Sequence, residues 1–312
     1  MFIEQAFKYY HEFWRYLIGL LLIVLAVIIG QVPLTVVLLL NGHLDPSMDQ
    51  MEMMNSLDSN YSLFLMLLTF AIGLLGIFFV AKNIHYQPIK SLTTARKKID
   101  WSRIAFGFGI IAIISTATVL LDYYMNPDDY VVNFEPSKFF IMLIIAVIFV
   151  PLQTSFEEYL FRGYLMQGFG VLSKTRWVPL ILTSVIFGGL HFFNPEVTKL
   201  GNIIMIYYIG TGFLLGIMTL MDDGMELSLG FHAGNNLITA VLVTADWTAF
   251  QTNSLLKDIS EPGTGWDNVY PILILYPLIL FIMAKRYKWT DWKGKLFGSV
   301  KEEKSIDSYL NS

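Results

Sequence analysis

Residues 17–30 read Leu17-Ile18-Gly19-Leu20-Leu21-Leu22-Ile23-Val24-Leu25-Ala26-Val27-Ile28-Ile29-Gly30, fourteen positions without a polar side chain. The apolar stretch around them runs from about 15 to 40, longer than the roughly 20 residues a helix needs to cross a bilayer. It is too long for the core of a cleaved signal peptide. No small-x-small cleavage site follows it, and further apolar stretches do. Seven more such segments are legible, near 61–81, 103–122, 137–161, 177–194, 202–221, 225–245 and 268–284. The fifth and seventh are weaker, because each carries a His and several Gly. The expected fold is therefore an all-α polytopic transmembrane bundle of about eight spans. It has an interfacial N-terminal helix over 1–16, a bundle over 17–284 and a tail over 285–312.

Composition agrees. Only 15% of the 312 residues are charged and 55% are hydrophobic, against about 25% charged in soluble domains. Mean hydropathy is +0.56. There is no Cys, which excludes a thiolate nucleophile, Cys-ligated metals and disulfides. A net charge of −4 gives no support to a nucleic-acid partner. The bilayer itself is the expected surrounding, in a bacterial plasma membrane.

The basic residues orient the bundle. With both termini cytoplasmic, 18 of the 21 Lys and Arg fall inside and three, Lys138, Lys199 and Lys257, fall outside, as the positive-inside bias requires. The acidic turn Asp222, Asp223, Glu226 lies on the inner side, and acidic residues contribute little to that rule.

Ionisable groups within spans are costly and mark function. The fourth segment ends in Ser155-Phe156-Glu157-Glu158-Tyr159-Leu160-Phe161-Arg162. The fifth contains Phe187-Gly188-Gly189-Leu190-His191, and the seventh His232-Ala233-Gly234-Asn235-Asn236. Glu158 and Arg162 are i,i+4 and can pair. Glu157 points about 100° away, which leaves it free toward the interior. His232 and Asn236 share one helical face. Each feature alone has a structural explanation: acids flanking an interfacial Arg, interhelical hydrogen bonds, or a packed His. The three together demand separate costly burials. Counting at 1.5 Å per residue from the turn near Lys174 puts Glu157 and His191 at one level, about 25 Å away. His232 is then only about 9 Å into its span. The expected site lies in the inner half of the membrane and opens to the cytoplasm.

Glu157-Glu158-x-x-x-Arg162, Phe187-x-x-x-His191 and His232-x-x-x-Asn236, over about residues 135–245, resemble the three motifs of the CPBP intramembrane proteases. That family contains the type II CAAX prenyl endopeptidases and the bacterial Abi, or bacteriocin self-immunity, proteins. The resemblance implies hydrolysis of a peptide bond in a membrane-associated protein or peptide. Glu157 would activate water, His191 would help hold it, and His232 with Asn236 would form the oxyanion site. Glu158, Arg162 and Phe187 would shape the cavity. No cofactor is favoured, since no H-E-x-x-H helix is present. The alternative is zinc held by Glu157, His191 and His232 with an open position. Two other readings stand beside the protease: a non-proteolytic scaffold that binds another membrane protein, and a transporter using buried Glu and His. The test between them is whether Glu157, His191, His232 and Asn236 converge.

Overall fold

In a membrane every backbone polar group needs an internal partner, so long apolar runs become helices. The computed structural model of the chain, which describes residues 1–43, 52–53, 56–263 and 268–302, shows this. Helix α1 is Phe13–Leu40 and α2 is Ser59–Asn83, followed by the short α3, Ile89–Thr93. Helix α4 is Trp101–Met125 and α5 is Pro136–Glu158. The latter runs on through a π-helical segment, Tyr159–Leu165, into α6, Met166–Ser173. Then come α7, Trp177–Leu190; α8, Pro195–Leu200; α9, Ile204–Asp222; and α10, Glu226–Leu242. A second π segment, Pro271–Leu275, leads into α11, Tyr276–Tyr287, and α12 is Trp292–Phe297. Starts are set by side-chain caps: the Asp58 carboxylate accepts from the amides of Asn60 and Tyr61, and Asp100 from that of Ser102, satisfying donors a helix start leaves unpaired.

The protein is an all-α polytopic membrane bundle. Five helices are long and apolar enough to cross a bilayer: α1, α2, α4, the continuous rod Pro136–Ser173, and α9. The other three expected segments are also helical but shorter, with 14 residues in α7, 17 in α10, and 5 plus 12 in the last. The exposed tryptophans Trp14, Trp101, Trp177 and Trp292 stand at or near the starts of α1, α4, α7 and α12, as residues at a membrane interface do. Two local features depart from an all-helical reading. The loops at one end carry a small sheet. There β3 (Leu256–Asp258) pairs antiparallel with β1 (Tyr130–Val132) and parallel with β2 (Val243–Ala245).

The second departure is the N-terminus. Residues 1–16, expected as an interfacial helix, instead split into a 3-10 turn, Ile3–Lys8, and the start of α1. Phe2 and Ile3 are wholly buried and join the core with Met166, Met221, Met225 and Leu296. Their apolar surface is covered by protein rather than lipid. The tail also folds back: the amide of Val300 donates to Lys174 O at 2.9 Å, and that of Arg176 to Gly298 O at 3.1 Å. Residues 303–312 of the expected tail lie outside the described residues.

Just beyond α2, His85 ties this inner layer together. Its Nδ1 donates to Tyr10 O at 2.6 Å, its Nε2 lies 3.1 Å from the Tyr164 hydroxyl, and its ring packs on Tyr16. Burial, reinforced by the nearby Arg15 guanidinium, pushes the imidazole pKa below its usual 6.5. The unfolded chain therefore takes up a proton that the folded chain resists as pH falls through about 6.5. The expected outcome is a melting temperature that declines between pH 7.5 and pH 5. His85→Phe, which keeps a ring but cannot titrate, should flatten that decline when both proteins are melted across the range.

Candidate active site

The site is assembled by four elements, and their approach is set by small residues. Gly230 and Gly234, four apart on α10, lie against α4. A Cβ on Gly234 would meet Phe108 O at 2.8 Å, and one on Gly230 would collide with Ile104 O. Small residues spaced in this way let membrane helices approach closely. They occupy one face of α10 and turn His232 and Asn236 toward α5. Gly212 on α9 does the same against Ser184 of α7, where an added Cβ would come within 2.8 Å of backbone.

Glu158 and Arg162 form a buried ion pair, with both side chains 0% exposed and Nη1 to Oε1 at 2.8 Å. Arg162 Nη2 donates to Gly212 O at 3.2 Å, and its guanidinium lies 4.4 Å from the Phe187 ring centroid. The same Glu158 oxygen takes a hydrogen bond from His232 Nδ1 at 2.9 Å. A carboxylate held by Arg is an acceptor, so the Nδ1 proton is fixed there. This leaves His232 Nε2 facing Glu157 Oε2 at 3.5 Å. The other Glu157 oxygen accepts from Gln153 Nε2 at 2.6 Å, and Gln153 Oε1 accepts from Asn236 Nδ2 at 3.3 Å. The Glu157 side chain is 13% exposed, which makes it the carboxylate of the pair within reach of solvent.

His191 caps the C-terminal end of α7. Its Nδ1 donates to Phe187 O at 2.8 Å, and its ring stacks on Tyr208 at 4.5 Å and 25°. Phe187 stands between the two histidines, 4.9 Å from His191 and 6.0 Å from His232 by centroid. Glu157, Glu158, Arg162, His232 and Asn236 are thus one bonded network. His191 joins it through the Phe187 ring and presents Nε2, the nitrogen left without a donated bond.

The sequence pattern misses two participants. Gln153, buried and one helical turn before Glu157, links the Glu157 carboxylate to Asn236. Its signal was a lone amide at i−4 in an apolar run. Tyr208 fixes the His191 ring plane, and nothing in its local sequence distinguishes it. The π segment that starts immediately after Glu158 is also unforeseen. Such segments are frequent at functional sites, and here Tyr159 at its first turn is anchored to Thr93 Oγ1 at 2.8 Å. Among the described residues, no group of three or more His, Cys, Asp or Glu is placed to hold a metal ion.

Phe187 is ten residues from Trp177, about 15 Å along α7. Residues Tyr159–Tyr164 and Glu226–His232, next to the network, are all buried.

A polytopic bundle that encloses a carboxylate–imidazole–amide network fits the class of membrane-embedded peptidases. The model of the type II CAAX prenyl endopeptidase Rce1-like family matches residues 136–238, which hold every one of these side chains. A relative from Bacillus subtilis (strain 168), the uncharacterized protein YyaK, is 31% identical over 267 residues, covering 84% of this chain and 88% of that protein. The chain belongs to the Rce1-like family. No solved structure matches it.

Removing Arg162 leaves Glu158 charged and buried without its counter-ion, which typically costs about 3–5 kcal/mol. Arg162→Met should therefore lower the unfolding temperature in detergent steeply. Adding Glu158→Gln to it should restore much of the loss, because the uncompensated charge is then gone.

Proposed function

We propose that this protein is an intramembrane endopeptidase that cleaves a membrane-associated peptide with water activated by Glu157. The carrying observation is the division of labour between adjacent glutamates. Glu158 is committed to Arg162 and to His232 Nδ1. Glu157 takes one hydrogen bond, from Gln153 at 2.6 Å, and its other oxygen lies 3.5 Å from His232 Nε2 on a side chain that is 13% exposed. A general base needs a free lone pair within reach of the water whose proton it takes.

In this reading Glu157 Oε2 takes the proton of a water as its oxygen attacks the scissile carbonyl. His191 Nε2, held by the Nδ1 bond to Phe187 O and the Tyr208 stack, accepts a hydrogen bond from the same water. The Asn236 amide donates to the developing oxyanion, exchanging its long 3.3 Å bond to Gln153. His232 Nε2 is a second donor whenever it carries a proton. Each such donor contributes about 2.7–4 kcal/mol in a water-poor site. Glu157 then returns its proton to the leaving amine.

Glu157→Gln keeps the shape and hydrogen bonds of the residue but removes the base. The variant should fold with wild-type thermal stability and yield no new C-termini in a survey of membrane proteins at equal expression. An unchanged product profile would overturn the assignment. Gln153→Leu loosens both Glu157 and Asn236, and turnover is expected to fall on the order of tenfold or more, as for other groups that orient a catalytic side chain. In a metal-free mechanism a strong chelator leaves turnover unchanged. Loss of activity restored by zinc counts against this mechanism.

A further inference from the structure

Helix α11 packs on the bundle through Tyr276, Ile279 and Met283, buried with Leu214, Met218 and Leu227. Beside that core face, Pro277, Leu280, Phe281 and Ala284 recur at i, i+3, i+4 and i+7, the spacing of one helical stripe. The stripe is one side of a groove of about 480 Å³, which Lys285, Trp289 and Trp292 also line.

The backbone fixes the end of that groove. Lys288 and Asp291 both take the left-handed conformation, at φ 54° and 53°, which non-glycine residues hold only where the surroundings over-determine it. The first ends α11, with the Trp289 amide on Ala284 O at 3.0 Å. The second begins α12, its carboxylate accepting from the Gly294 amide at 3.1 Å. The turn brings the Trp292 ring to 6.0 Å from that of Trp289. Trp289 is held in turn by Nε1, which donates to Asp222 Oδ1 at 3.0 Å. The adjacent Asp223 accepts from the Phe2 amide at 3.1 Å, so the two indoles stand at the end of the bundle where the N-terminal residues are buried.

Charge at this end of the groove has one sign. Residues 285–295 hold five basic side chains, Lys285, Arg286, Lys288, Lys293 and Lys295, and a single acid, Asp291. Asp291 is engaged as the cap of α12, and Lys295 pairs with Asp223. Among the described residues the other four cations pair with no carboxylate. Lys285 Nζ lies 4.8 Å from the Phe281 ring centroid, and the Arg286 guanidinium 4.4 Å from that of Phe106.

Apolar helix surface in a bilayer meets acyl chains everywhere and by itself selects none. This groove differs at its end, where paired indoles and unpaired cations stand over an apolar channel that follows the helix axis. Indoles favour the headgroup level of a membrane, and a basic cluster directly after a membrane helix attracts anionic headgroups. An extended peptide would need backbone partners along the stripe, and the stripe offers only carbon. A second copy of the chain, related by a two-fold axis, would bring the same cations against these. We infer that the groove binds an anionic phospholipid, with its headgroup among Lys285, Lys288 and Lys293 and an acyl chain along Pro277 to Ala284. The site lies outside residues 136–238 and does not depend on the peptidase reading.

Native mass spectrometry of the full chain in a neutral detergent, with dioleoyl phosphatidylglycerol or dioleoyl phosphatidylcholine added, counts bound lipid directly. The wild type should hold one phosphatidylglycerol about fivefold or more tighter than phosphatidylcholine. Lys285→Ala should weaken phosphatidylglycerol about fivefold, the effect of one basic residue beside an anionic headgroup, and leave phosphatidylcholine unchanged. Ala284→Phe narrows the channel and should weaken both lipids. Lys82→Ala combined with Lys90→Ala removes two cations outside the groove and should change neither. Lys285 and Lys293 are exposed, so their variants should melt like the wild type in lipid-free detergent and carry the test if Ala284→Phe does not fold. Equal affinity of the wild type for the two lipids would overturn the inference. So would unchanged phosphatidylglycerol binding by Lys285→Ala combined with Lys293→Ala, or an equal loss in the Lys82 and Lys90 variant. Displacement of the bound lipid by free glycerol phosphate, which has no acyl chain, would overturn the role of the groove.

Discussion

The buried ion pair between Glu158 and Arg162 is the constraint on which the arrangement depends. Two charges removed from water each cost several kcal/mol, and neither side chain here has any exposure. The structure offsets that cost with groups drawn from four helices. The pair is made within one rod, where i,i+4 spacing brings the ends together. The guanidinium then takes Gly212 O from α9 and the face of Phe187 from α7, and the carboxylate takes His232 from α10. Any shift of α7, α9 or α10 away from the rod would leave one of these groups unsatisfied in an apolar layer. The pair therefore fixes the relative positions of the helices that carry the rest of the chemistry.

The glycines make that fixation feasible. Arg162 reaches a backbone carbonyl on α9 only because Gly212 lets α9 settle against Ser184, and His232 reaches Glu158 only because Gly230 and Gly234 let α10 settle against α4. Packing supplies the approach, and electrostatics selects the register. A side chain at either position would move the imidazole by more than a hydrogen bond tolerates.

Those two layers differ in how legible they are in sequence. Apolar runs, the i,i+4 relation of Glu158 to Arg162, and the shared face of His232 and Asn236 all follow from helical periodicity, which is local. The burial of Phe2 and Ile3 and the small sheet of β1, β2 and β3 follow from contacts between distant segments. A count of residues from a turn assumed a regular, straight entry into the membrane. Such a count does not register the layer in which the N-terminus, the loop before α4 and the tail all fold under the bundle. Gln153 lies between the two cases. A lone amide one turn before an intramembrane glutamate is a local signal, but its meaning depends on Asn236 lying opposite.

The packed layer next to the network also bears on the rival reading of the network as a transport pathway. Moving an ion or solute across needs access to the site from each face in turn, through elements that exchange between two packings. The layer that holds Phe2 and Ile3 combines interlocked apolar side chains with ion pairs that join three separated segments, the loop before α4, the turn before α10 and the tail. Opening it would strand Asp222 and Glu226 without their arginine, a cost of the same kind as breaking the Glu158 pair. Hydrolysis has no such requirement, because substrate, water and products can share one entrance.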